Sequence, residues 1–153
     1  MMVNKIGIVF LLLLFSGYGF SQNLEFRDSH YYKKGMLYTG THIEYYDNGN
    51  PKIERNIKNG VEEGLVMTYF NNGNKQEQRS YKEGLKDGLW ISWNEKGVKT
   101  GEAPYKNNLK DGDWFIWDDE GLLMYEMHYI DGEKTGIWKM FDKYGNLKSE
   151  RKY

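Results

Sequence analysis

The residues of this chain with chemical potential are three histidines, a set of carboxylates and two columns of aromatic rings. His30, His42 and His128 lack the spacing of metal ligands. Asp118-Asp119-Glu120 lacks the spaced oxygen ligands of a calcium loop and reads as a turn. No serine sits in a G-x-S-x-G elbow, and the glycines form neither G-x-G-x-x-G nor a phosphate loop opening a helix. Paired carboxylates could hydrolyse glycosides, but nothing singles out one pair here, and the acids recur in columns. The expectation is a non-enzyme without cofactor or metal.

The aromatic columns allow a different chemistry, stacking on a partner. Two residues after a recurring Gly come His42, Val66, Trp90, Trp114 and Trp138; five after it come Tyr45, Tyr69, Trp93, Trp117 and Phe141. The candidate binding surface is therefore Tyr69, Trp90, Trp93, Trp114, Trp117, Trp138 and Phe141. An odd separation puts the two columns on opposite faces of a regular strand, unless a bulge at the Gly re-aims one of them. Glu54, Gln78, Glu102, Glu126 and Glu150 form a further column. It is either a solvated strand face with lysine neighbours or a charged strip for a partner.

These columns exist because the chain repeats itself. Residues 81–104, 105–128 and 129–152 share one 24-residue plan; 57–80 and 32–56 are looser copies, the latter one residue longer. Each unit places Gly nine residues before another Gly, as in Gly88/Gly97 and Gly112/Gly121. Asn59-Gly60, Glu83-Gly84, Asn107-Asn108 and Asp131-Gly132 suit two-residue hairpin loops with positive φ at both positions. Asn94–Gly97, Asp118–Gly121 and Asp142–Gly145 suit type I turns; Tyr46 and Phe70 replace the leading Asx in the first two units. The turn glycines are thus Gly49, Gly73, Gly97, Gly121 and Gly145. Between turns lie aromatic and β-branched runs such as Leu89–Trp93, and glycines leave no helical window. The fold class is all-β: a single elongated antiparallel meander of hairpins, about ten strands and roughly 50 Å long. Gly64, Gly88, Gly112 and Gly136 stand where a strand would carry a side chain, and a neighbouring ring could cover them.

The balance of 21 Lys+Arg against 22 Asp+Glu argues against general nucleic-acid binding. Cysteine is absent, so disulfides, thiolate metal sites and cysteine lipid anchors are excluded. Lys5, the apolar run Ile6–Phe15, and small Gly19 and Ser21 form a secretory signal over residues 1–21, cleaved after Ser21; an uncleaved membrane anchor is the alternative. Residues 22–31 read as a lead-in strand. The mature chain is expected to be exported to the periplasm, the cell surface or the medium.

The segments GLWISW-NEKG and GDWFIW-DDEG, with Tyr and Gly recurring at fixed spacing, resemble the MORN-type repeat in its variant form. They are similar to the repeats of the YwqK-type antitoxin family over residues 32–153. The resemblance implies an elongated hairpin sheet acting in protein contacts, with a toxin as partner and no catalytic residues. Two functions stay open: a protein-interaction scaffold, or a carbohydrate or cell-wall binding module using exposed Trp and Tyr rows. The last strand carries Lys148, Glu150, Arg151 and Lys152, a composition that protects a sheet edge. A monomer is expected, with its unidentified partner on a sheet face.

Overall fold

A computed structural model describes residues 24–153. The signal-sequence reading falls on residues outside this range. The described chain is all strand and turn. Strands β1 (Glu25–Arg27), β2 (His30–Lys33) and β3 (Met36–Leu37) form a small sheet. Then come β4 (Gly40–Tyr45), β5 (Pro51–Lys58), β6 (Val61–Tyr69), β7 (Lys75–Lys82), β8 (Leu85–Lys86) and β9 (Gly88–Trp93). They are followed by β10 (Lys99–Lys106), β11 (Leu109–Lys110), β12 (Gly112–Trp117), β13 (Leu123–Ile130), β14 (Glu133–Phe141) and β15 (Leu147–Lys152). From β4 to β15 these twelve strands make one antiparallel sheet in chain order, with β8 and β11 short extensions on β7 and β10.

The hairpins alternate between two turn chemistries, one at each end of the strands. At one end, Asn59-Gly60, Glu83-Gly84, Asn107-Asn108 and Asp131-Gly132 all have positive φ at both residues, and so does Lys34-Gly35. That twist matches the right-handed twist of the flanking strands. At the other end, the Gly97 amide donates to the Asn94 carbonyl, and the same bond recurs at Gly49, Gly73, Gly121 and Gly145. These five glycines have φ of 82–87°. Asp142 shows why Asx suits the first position: its Oδ1 accepts from the amides of Tyr144 and Asn146, and these bonds hold its carboxyl below the usual range. Tyr46 and Phe70 make the same turn without that side-chain acceptor. There Asn48 and Asn72 accept from Asn50 and Asn74 instead.

Consecutive turns also bind each other. Asn50 and Asn74 donate side-chain amides to the Asn71 and Glu95 carbonyls of the next turn. At the opposite end, the amides of Gly84, Asn108 and Gly132 donate to the carbonyls of Glu62, Lys86 and Lys110. Each unit therefore touches only its neighbours, so stability should grow unit by unit. Removing residues 105–128 as one block should leave a folded, shorter sheet with one cooperative transition. Removing half that length should swap the two turn types at the junction and break the register. Equal loss of far-UV signal in both deletions would contradict this architecture.

The described part of the expected lead-in, residues 24–31, is not one strand. Asp28 and Ser29 have φ of 49° and 60°, a tight turn that folds β1 back onto β2. Strand β2 then runs across the expected boundary at residue 32. Here the local turn replaces a longer pairing with the large sheet.

Candidate binding surface

A strand pairing places directly opposed residues on one face. Gly112 opposes Tyr129 and Trp114 opposes Met127, and the Tyr129 ring packs against Trp114. The arrangement recurs where Gly64 opposes Tyr81 and Gly88 opposes Tyr105. The result is a continuous ladder, Tyr81–Trp90–Tyr105–Trp114–Tyr129–Trp138–Tyr153, with neighbouring ring centroids 4.7–5.5 Å apart and planes tilted by 51–67°. Each indole is also tied down. Trp90, Trp114 and Trp138 donate Nε1–H to the carbonyls of Ser80, Pro104 and His128 at 3.0–3.1 Å.

Lysines clamp the ladder. Lys86 sits 4.5 Å from the Trp90 centroid and 4.8 Å from that of Tyr105. Lys110 bridges Trp114 and Tyr129, and Lys134 bridges Trp138 and Tyr153, at 4.3–4.9 Å. Such contacts contribute about 0.5–1 kcal/mol each at exposed sites. Towards β4 the ladder gives way to Val66, Ile57 and His42, which are buried along with Tyr129. Burial raises the phenol pKa of Tyr81, Tyr105 and Tyr31, with Glu62 reinforcing the rise at Tyr81 and Tyr31.

The second column lies on the opposite face. The glycine bulge exists, but it precedes both columns and leaves their odd separation intact. Gly64 and Gly136 sit where the pairing slips within β6 and β14; Gly88 and Gly112 begin β9 and β12 after a break. Both faces are therefore aromatic. Of the seven candidate residues, Trp90, Trp114 and Trp138 belong to the ladder, while Tyr69, Trp93, Trp117 and Phe141 line the opposite face. Phe115 joins Trp117 there, with centroids 5.7 Å apart, and Lys99 lies 4.2 Å from the Trp117 centroid. The acidic column shares this face. Glu102 opposes both Ile91 and Phe115 and pairs with Lys99 at 2.7 Å; Glu126 pairs with Lys139 at 3.2 Å. His128 Nδ1 meets Asp113 at 2.6 Å. Among the described residues no group of His, Cys, Asp and Glu is arranged to hold a metal ion.

His42 occupies the Trp position of the first unit. It is buried, and its pKa is lowered by that burial and by the Arg55 guanidinium, against the opposing pull of Glu44 at 3.5 Å. A lowered folded pKa means that protonation favours the unfolded chain. The stability His42 contributes is complete above about pH 6.5, the free-histidine value, and is lost as pH falls from there through the lower folded value. Thermal midpoints should therefore drop more between pH 7.5 and pH 5 for the native chain than for His42→Gln. Parallel curves would assign the pH dependence to other groups.

One feature of the ladder face breaks the repeat. Returning strands place pairs of residues between successive rungs: Ile53 and Arg55, Glu77 and Arg79, Tyr125 and Met127, Ser149 and Arg151. Strand β10 places Gly101 and Ala103 there. A groove of about 220 Å³ opens above these small residues, walled by Arg79, Trp90 and Ser92 on one side and Trp114 on the other. The aromatic columns run along the outgoing strands, whereas the groove lies over a returning strand and leaves no mark in those columns. Aligning the residues four and six after each turn glycine exposes it.

A one-layer sheet of stacked hairpins, built of recurring columns rather than a unique constellation, defines a tandem-repeat β protein. Residues 38–59, 62–83 and 86–107 match the model of the MORN repeat variant. No curated protein matches the chain.

Proposed function

We propose that this chain is a non-enzymatic scaffold that binds a protein partner on a sheet face. The observation that carries this reading is the scarcity of burial. Among the described residues only His42, Ile57, Gly60, Val66 and Tyr129 are buried, while Ile43, Leu65, Leu89, Ile116 and Ile137 stand 36–45% exposed on the faces. Contiguous exposed apolar surface marks interaction sites. A repeat sheet also offers contacts that add from unit to unit. The MORN-type match supports the same reading.

The protein acts as a monomer, because β15 carries Lys148, Glu150, Arg151 and Lys152 on exposed positions that discourage edge pairing. It works after export, on the reading of residues 1–21 as a cleaved signal; N-terminal sequencing of exported material should begin at Gln22, and an intact Met1 would favour an anchored form. An antitoxin-like role would require a toxin partner in the same compartment. Photo-crosslinking residues at Ile91 and at Ser92 test the scaffold reading, since these neighbours point to opposite faces. A partner protein captured from either site supports it. Capture only from β15, or from no site, overturns it.

A further inference from the structure

We infer that the groove above Gly101 and Ala103 is an anchor pocket for a large apolar side chain carried on an acidic segment of the partner. This rests on the scaffold reading and names the partner's chemistry. The equivalent slots show what fits. Arg55, Arg79, Met127 and Arg151 oppose or flank the same column that Ala103 joins, so long side chains fill the row everywhere else. Arg79 lies 5.5 Å from the Trp90 centroid, the kind of packing the empty slot lacks. An apolar cavity of about 150 Å³ takes a benzene-sized group, so about 220 Å³ accommodates one large side chain. Drug-sized ligands need pockets of roughly 300 Å³ or more.

Charge determines the company that side chain keeps. Lys86, Lys110 and Lys134 oppose Tyr81, Tyr105 and Tyr129, which places all three on the ladder face. From Leu85 to Lys152 the strand carboxylates Glu102, Asp113, Glu126, Glu133 and Glu150 fall on the other face. Glu77 lines the groove and is paired with Arg79. Asp87 and Asp111 lie at the loop end, 3.4 Å from the amides of Asn107 and Asp131. The groove therefore opens on a basic, aromatic stripe with Arg79, Lys86 and Lys110 around it. A cationic occupant meets three like charges there, whereas an apolar side chain flanked by carboxylates meets one, Glu77, which Arg79 already neutralises.

Ala103→Met is the decisive variant, because it fills the groove with the residue that strand β13 carries at the equivalent position, Met127. It should fold with an unchanged or raised thermal midpoint. The probe is a short fluorescent peptide with a central leucine flanked by glutamates. The native chain should bind it, with affinity falling as salt rises. Ala103→Met should weaken binding at least tenfold, and Lys86→Gln with Lys110→Gln should weaken it and flatten the salt dependence. Replacing the peptide's leucine by serine should cost as much as Ala103→Met. Binding that survives Ala103→Met, or that a lysine-flanked peptide or a single-stranded oligonucleotide matches, overturns the inference, as does no binding by the native chain. Partner capture from Ile91 but never from Ser92 would leave the scaffold standing and remove the groove from it.

Discussion

Trp114→Ala should destabilise the protein by about 3 kcal/mol, the low end of the range for removing a large aromatic, because the ring is only half-buried. Its two ring contacts, to Tyr105 at 5.2 Å and Tyr129 at 5.4 Å, contribute about 0.5–1.5 kcal/mol each beyond area burial. The loss also removes one ring from under Lys110 and the donor from the Pro104 carbonyl. The effect should not stop at the total. Units here are coupled only to neighbours, so a broken rung should split unfolding into two transitions, one for each side of β12. Trp114→Phe keeps a ring but lacks the N–H, and should cost about 1 kcal/mol with a single transition. Ile116→Ala is the control, two residues along the same strand and face and 40% exposed. Urea unfolding followed by circular dichroism measures all three. A Trp114→Ala loss no larger than that of Ile116→Ala would mean the ladder is ornamental to stability.

The second large effect is expected at Gly112. Its φ of +117° is a conformation that side chains rarely adopt, and an added Cβ would lie 2.8 Å from Pro104 Cγ. Pro104 is part of a closed ring and cannot rotate away. Backbone strain of about 1–3 kcal/mol adds to overpacking of similar size, so Gly112→Ala should cost about 3 kcal/mol. Gly64 separates the two causes. It has φ of +80° and open space where a Cβ would go, so Gly64→Ala should pay only the backbone part, about 1–2 kcal/mol. Equal losses at both glycines would show that the Pro104 contact yields.

The groove bears on how the repeat evolves as a surface. A scaffold of identical units binds along its whole length with equal strength, whereas one small pair, Gly101 and Ala103, gives the array a unique point of register. On the proposed binding, specificity comes from one omission and affinity from the lysine row beside it.

Much of this was legible from the chain alone. The turn chemistry of Asn107-Asn108 or Asp118–Gly121 acts within a few residues, so its outcome follows from local φ/ψ preference and needs no partner strand. The 24-residue period followed for the same reason, as did the all-β class. Tyr46 and Phe70 form the same turn as Asp118, because Asn48 and Asn72 supply the side-chain acceptor two positions later. The hairpin at Asp28-Ser29 was the local miss, since Ser is a weak signal for positive φ.

What only the tertiary structure decided is which side chains meet. Sequence spacing placed Trp114 and Trp117 an odd number apart but left open whether a bulge would bring them to one face. One bulge falls at Gly112, ahead of both, and the irregularity between Ile116 and Trp117 is taken up by the returning strand at Met124, so they part. Tyr129 is paired with Gly112 from 17 positions away, and Lys110 reaches its ring from 19. The groove needs Trp90 from one strand and Trp114 from another as walls, with Ala103 as floor. Those meetings depend on pairing register between strands. Register is a sum over the whole ladder of rings, glycines and turns, so no single window of the sequence contains it.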